Sequence, residues 1–202
     1  MARYHAAKGR INRRLDAMIY ESNGAVRASE RRQSPPGMNN RSRRSSTYGM
    51  ALREKQKIKH YYGLGERQLR RSFDKASRMK GNTGEQLLLL CERRLDNVIR
   101  RAGFTRTRPQ ARQGVVHGHF QVNGIKVTSP SYVLRAGDVV TVRPRPNLQI
   151  FYRCQMEENS REPMEWLTSD AETLRATLHG VPGPSDISLP VDANTVVEFL
   201  SR

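Results

Sequence analysis

Positive charge is concentrated in one part of this chain, and the concentration limits every helix that part can form. Residues 1–112 carry 28 Lys plus Arg against 9 Asp plus Glu, an excess of 19, whereas residues 113–202 carry 8 against 10. A segment so rich in cations can bury only narrow apolar stripes, because charged side chains stay out of a core unless they are paired. Its outer faces are then cationic, and holding them together costs self-repulsion until a polyanion neutralises them. Nucleic acid and an anionic membrane surface are the polyanions to weigh. A membrane-reading helix needs Trp or Phe on one face, but the only Trp, Trp166, falls in the neutral part. Nucleic acid is therefore the expected partner, in preference to a face kept basic for solubility alone.

Length and pattern bound the architecture. At 202 residues the chain has room for one or two domains. No apolar run approaches the ~18 residues of a spanning helix, and charges throughout residues 1–20 leave no signal-peptide core. A soluble, unexported, cytoplasmic protein is expected. Cys91 and Cys154 form no C-x-x-C pair, which fits a reducing compartment and argues against a zinc ribbon or redox dithiol.

Four regions follow along the chain. Residues 1–47 hold few large apolar groups, and Ser34-Pro35-Pro36-Gly37 and the Asn/Arg/Ser run from Asn39 to Ser46 cannot offset the entropy of ordering. They read as a basic extended arm that orders on its partner. From Met50 to Met79 helix formers dominate, with a break at Tyr62-Gly63-Leu64-Gly65. Thr83 and Gln86 have capping-box spacing, and one helix is expected to run from Leu87 to Ala102 on a stripe of Leu88, Cys91, Leu95, Val98 and Ile99. A short helix should begin at Thr107, with Pro109 in its first turn and with Arg108 and Arg112 on its outer face. After Gly118 the period becomes two: Phe120 to Val122, the hairpin dipeptide Asn123-Gly124, Ile125 to Val127, then Val139 to Val142 after the Gly137-Asp138 turn. The unit from about 91 to 143 reads as a helix pair on a small sheet, α+β in class. Beyond Pro146 the pattern allows a helix through Leu148 and Cys154, solvated acids from Glu157 to Glu165, another helix from Ala171 to His179, and a strand or docked extended segment from Thr195 to Leu200.

Few residues suggest catalysis. His117 and His119 lie two apart with no third His or Cys nearby, short of the three or four ligands a metal needs. Cys91, inside a leucine run, reads as a core residue. Glycines at 63, 65, 81 and 84 lack the Lys-Ser/Thr of a phosphate loop. Arg93, Arg94, Arg108 and Arg112 are different: on two helices joined by a short turn they would aim guanidinium forks, which match phosphate oxygens, into one groove. They read as an RNA-backbone clamp. Tyr48, Tyr61 and Tyr62 interleave with Arg53, Lys55, Lys57 and Lys59, where base stacking and core packing both fit.

These residues carry a resemblance. Arg93-Arg94-Leu95-Asp96-Asn97-Val98, Arg108-Pro109-Gln110-Ala111-Arg112-Gln113, His117-Gly118, Val122-Asn123-Gly124 and Gly137-Asp138-Val139 resemble the S-four RNA-binding domain. Met1-Ala2-Arg3-Tyr4, Pro35-Pro36-Gly37, Leu52-Arg53-Glu54-Lys55-Gln56-Lys57, Lys80-Gly81-Asn82-Thr83-Gly84 and the terminal Val197 to Arg202 look like the bacterial small-subunit ribosomal protein S-four family, over nearly the whole chain. The resemblance implies an arm at 1–47, a helical rRNA-binding lobe at 48–90 completed by 178–202, and an inserted module at 91–177 with an acidic, helical extension. It implies a structural constituent of the 30S small subunit that binds 16S rRNA first, nucleates assembly of its 5′ domain, and influences translational accuracy together with ribosomal protein S-five. Ribosomal proteins S-three and S-twelve are further expected neighbours.

The rRNA contacts expected are Arg3, Arg53, Lys55, Lys57, Lys59, Tyr61, Arg67, Arg70 and Arg71, with Arg93, Arg94, Arg108, Arg112, His117 and Lys126 from the module. Arg41, Arg43 and Arg44 are expected to face mRNA where it enters the subunit. The arm lacks the cysteine cluster of zinc-binding members, so no metal and no cofactor are expected. Two rivals share parts of this pattern. A pseudouridine synthase carrying the same module would use an Arg-Leu-Asp aspartate, and Arg94-Leu95-Asp96 supplies the letters; but Asp96 sits inside the module's first helix, where it reads as an i,i+4 partner of Arg100. A free-standing RNA chaperone shares the electrostatics and leaves the ribosomal arm and C-terminal match unexplained.

Overall fold

The computed structural model describes residues 4, 6–38, 46–159 and 164–201. The chain divides into two compact units, one of residues 1–88 with 188–202 and one of residues 89–187. It is α+β, as the sequence pattern indicates: among the described residues there are helices in both units and one antiparallel sheet.

The first unit begins with α1 (Lys8–Leu15) and α2 (Asn23–Arg31), so residues 8–31 are not an extended arm. Ile11, Leu15, Ile19, Tyr20 and Ala25 are buried there. The chain reverses after Asp16, and the buried Asn12 holds the return: its Oδ1 accepts from the Tyr20 N–H and its Nδ2 donates to the Tyr20 carbonyl, both at 3.0 Å. One amide thus satisfies two backbone groups that burial would otherwise leave unpaired. Next come α3 (Thr47–Tyr61), capped by Ser46 Oγ, and α4 (Glu66–Ser77), with the expected break between them. Leu69 and Ala76 fall on the buried side of α4, and Arg67, Arg70 and Arg71 are exposed on the other.

Helix α5 (Thr83–Glu92) starts one residue after Asn82, whose Oδ1 accepts from the Gly84 N–H at 2.9 Å. The expected single helix to Ala102 is instead two, because Arg94 is extended (φ −68°, ψ 141°) before α6 (Leu95–Arg101). The loop at 130–134 takes over the backbone there: Leu134 N–H donates to the Arg93 carbonyl and Leu95 N–H to the Tyr132 carbonyl, at 2.9 and 2.8 Å. Helix α7 (Arg108–Val116) follows with Pro109 in its first turn.

The sheet of the second unit contains β1 (Phe120–Val122), β2 (Ile125–Lys126) and β3 (Val139–Val142). After α8 (Pro146–Glu158) it gains β4 (Leu167–Asp170) and β5 (Arg175–Leu178). The order is β2-β1-β3-β5-β4. Asn123 and Gly124 have φ of 50° and 80°, the left-handed pair a two-residue hairpin requires. Phe120, Val122, Val140, Val142, Ala176 and Leu178 alternate onto one face, where Leu95, Val98, Ile99, Phe104, Ala111, Val115 and Leu134 complete the core. The helix expected at 171–179 is the hairpin of β4 and β5, since Asp170 accepts from the Glu172 N–H and the Thr173 hydroxyl and closes a turn.

The chain ends in α9 (Ala193–Ser201), in the first unit, where a strand or extended segment was the expectation. Asp192 accepts from the Asn194 and Thr195 N–H groups and the Thr195 hydroxyl, a cap that starts a helix despite the β-branched run behind it. Phe199 lies against Tyr48, with ring centroids 5.4 Å apart, and under the Lys55 ammonium at 4.8 Å.

Candidate nucleic-acid interface

The arginines read as a clamp lie inside an ion-pair network. Arg94 forks onto Asp96, with Nε to Oδ1 at 3.2 Å and Nη2 to Oδ2 at 3.0 Å, and Arg112 Nη1 reaches the same Oδ2 at 3.0 Å. Arg108 Nε donates to Asn97 Oδ1 at 2.8 Å, and Asn97 Nδ2 donates to Glu92. Glu92 has no exposed surface, and Arg101 bridges it at 3.2 Å. Four consequences correct the sequence reading. Arg94 and Arg108 are buried, so Arg108 does not share an outer face with Arg112. Arg112 keeps only 12% of its side chain exposed. Arg93 is half-buried and donates through Nε to the Leu134 carbonyl. Asp96 takes Arg94 and Arg112 as ion-pair partners, neither of which was the partner expected for it. Buried charges persist only when neutralised in this way, and the network ties Glu92 to α6 and α7 within the second unit.

Cationic surface in this unit gathers at the turn from α7 into β1. His117 and Lys126 are exposed. Arg143, just past β3, donates its N–H to the His119 carbonyl at 2.8 Å and its Nη1 to the Gly118 carbonyl at 3.4 Å. Burial, and then the charges of His117, Arg145 and Arg143, hold the His119 imidazole below its usual range. His119, Arg143 and Arg145 are thus part of the patch without having been expected there. Arg143-Pro144-Arg145 directly after a strand was the available signal, since strand ends place such side chains at a surface. The two rings, 5.7 Å apart, make no metal site: among the described residues no cluster of three or more His, Cys, Asp or Glu could hold an ion. Burial pushes the Cys91 thiol up to about 12, which removes it as a nucleophile at neutral pH.

In the first unit the lysines of α3 are paired and the arginines of α4 are open. Lys55 and Lys59 both bind Glu66, at 2.7 and 3.1 Å, and Lys57 binds Glu54 at 2.6 Å. Burial would raise the Glu66 carboxyl, but the two lysines outweigh it and hold the group below its usual range. Tyr61 is buried with its hydroxyl against Ser188. Arg53, Arg67, Arg70 and Arg71 are exposed, and Arg67, Arg70 and Arg71 share the open side of α4 with Lys75 and Arg78. Guanidinium groups on successive turns of one helix can track a line of phosphates. Arg3, Arg41, Arg43 and Arg44 lie outside the described residues.

Comparison with known proteins accords with this arrangement. Residues 3–92 match the model of the ribosomal protein S4/S9 N-terminal domain, and residues 93–140 match the S4 domain. The small ribosomal subunit protein uS4 of Rhodopirellula baltica is 65% identical over 202 residues, covering all of both chains. The uS4 proteins of Chloroflexus aurantiacus and of a Geobacillus strain are 44% and 42% identical, again over the full length of each. The S4 match ends at 140, so α8, β4 and β5 extend that module within the same sheet. The chain belongs to the uS4 family of small ribosomal subunit proteins, which is structural and not enzymatic.

Proposed function

We propose that the chain binds 16S rRNA as a primary binder, nucleates assembly of the 5′ domain of the 30S subunit, and acts with ribosomal protein S-five on translational accuracy. The observation that carries the RNA contact is the open arginine face of α4, where Arg67, Arg70 and Arg71 have no carboxylate partner within 4 Å among the described residues. Arg53 continues the rRNA surface on α3, and His117, Lys126, Arg143 and Arg145 form its counterpart in the second unit. Arg41, Arg43 and Arg44 serve mRNA at its entrance, a role that rests on the family resemblance of the arm. The buried arginines contribute by fixing the shape of the module behind the surface.

The test is a binding comparison between transcripts of the 16S 5′ domain and of another 16S domain. The full chain should prefer the first, protect one multi-helix junction in chemical footprinting, and lose affinity when Arg67, Arg70 and Arg71 are all changed to Gln. Each lost phosphate contact lowers the salt slope by about 0.7–0.9. Equal affinity for both transcripts would overturn the reading.

A further inference from the structure

The two histidines beside Gly118 have different surroundings. His117 is exposed, and its ring meets the Gln113 side chain. His119 is half-buried, with Nδ1 2.9 Å from the hydroxyl of Tyr152. Tyr152 sits on α8, outside the residues that match the S4 domain. It is 2% exposed, and among the described residues Nδ1 is the one hydrogen-bond partner of its hydroxyl. Burial raises the pKa of the phenol, so the hydroxyl keeps its proton. A phenolic O–H sealed from water has to donate, and the acceptor within reach is Nδ1. The His119 proton is thereby placed on Nε2. With Nδ1 engaged by Tyr152, Nε2–H is the donor the half-buried ring has left to offer.

The packing admits this contact through one position. A Cβ on Gly114 would come within 2.6 Å of the Tyr152 hydroxyl oxygen and 3.0 Å of Phe120 Cε2. His117 lies beside the ring, with centroids 5.7 Å apart, Arg143 bonds the neighbouring Gly118 and His119 carbonyls, the charge of Arg145 also acts on the imidazole, and Lys126 packs over Gly118. Another full charge among these groups would add repulsion before any anion arrived. A neutral N–H donor adds none.

We propose that Tyr152 is a positioning residue that holds His119 in its Nε2–H form, so that this N–H donates to one backbone phosphate of bound RNA seated beside Arg143 and Arg145. The proposal rests on the RNA-binding reading above. Tyr152 touches no nucleotide in it and acts only through His119.

Three measurements on the full chain test it. Long-range 1H–15N NMR at pH 7.5 should show wild-type His119 protonated on Nε2 and the Tyr152→Phe protein with mixed tautomers. Affinity for the 16S 5′-domain transcript should fall by about three- to tenfold in Tyr152→Phe, the worth of one hydrogen bond. In a His119→Ala background, Tyr152→Phe should cost nothing further. The wild-type tautomer is read without any variant, so a folding defect does not shield the proposal. An Nδ1–H tautomer in the wild type, or unchanged affinity in a folded Tyr152→Phe protein, would overturn it. A wild-type chain that ignores the transcript would overturn the RNA reading itself.

Discussion

Asp96 shows what a single buried side chain decides in this molecule. Its carboxylate lies between Arg94 and Arg112, with only 6% of the side chain exposed. Asp96→Ala would leave two nearly buried guanidinium groups without their shared anion, and breaking such a pair costs about 3–5 kcal/mol. Urea denaturation should show a loss of that size, whereas Arg53→Ala at an exposed position should change stability by less than about 0.5 kcal/mol. Histidines set a separate dependence on pH. Burial, then Lys59 and Arg14, lower the pKa of His60, and burial leads the same shift at His119. Both rings take up protons more readily in the unfolded chain, where the pKa is the ordinary 6.5. Stability is therefore full above that value and declines as pH falls through the lower folded values. Glu66, Asp170 and Asp192 shift downward as well, and their contribution is lost only as pH falls below the carboxylate range of 4.5 to 3.8. Melting temperature should drop in two stages on acidification, and His60→Gln should shrink the first. A flat profile between pH 7 and 5 would contradict the assignment.

At the scale of elements, the close approach of α9 to α5 depends on one missing side chain. A Cβ on Gly84 would lie 2.7 Å from Ala193 Cβ and 3.1 Å from its backbone. Gly84→Ala should therefore destabilise the docked C-terminal helix by about 1–3 kcal/mol, visible as faster amide exchange in α9 with exchange in α6 unchanged. Elements set by neighbours in sequence were legible without a structure. The Asn123-Gly124 hairpin, the break at residues 62–65 and the proline-started α7 each follow from local backbone preference. Elements set by distant partners were not. The division between α5 and α6 comes from backbone hydrogen bonds to residues 132 and 134, and the folding of α1 and α2 rests on the Asn12 side chain gripping Tyr20. A side-chain cap at Asp192 reversed the β-propensity of Val196, Val197 and Phe199. The candidate site divides in the same way. Composition located the cations, but whether an arginine faced phosphate or Asp96 depended on a fold that brings α6 and α7 together.

Over the whole molecule, charge concentration and internal pairing act against each other. The first 112 residues carry an excess of 19 cations, yet Lys55, Lys57, Lys59, Arg94, Arg101 and Arg112 are held by carboxylates of the chain itself. Those pairs stabilise the fold and leave a smaller set of open groups to meet RNA. The set still includes Arg53, Arg67, Arg70, Arg71, Lys126 and Arg145, all exposed. Since each phosphate neutralised releases condensed counterions, contact with about 6–10 phosphates implies a loss of about 10³–10⁵ in affinity between 50 and 200 mM salt. Paired cations contribute nothing to that slope, because no counterion is condensed on the RNA on their account. Replacing Arg145 or Lys126 by Gln should flatten the slope by about 0.7–0.9 each, while replacing Lys57, which is paired with Glu54, should leave it unchanged. The measurement is nitrocellulose filter binding of the full chain to the 16S 5′-domain transcript across a salt series. A slope equally sensitive to open and paired cations would mean that RNA pulls the internal pairs apart, and the division between fold-holding and phosphate-facing charge would not survive it.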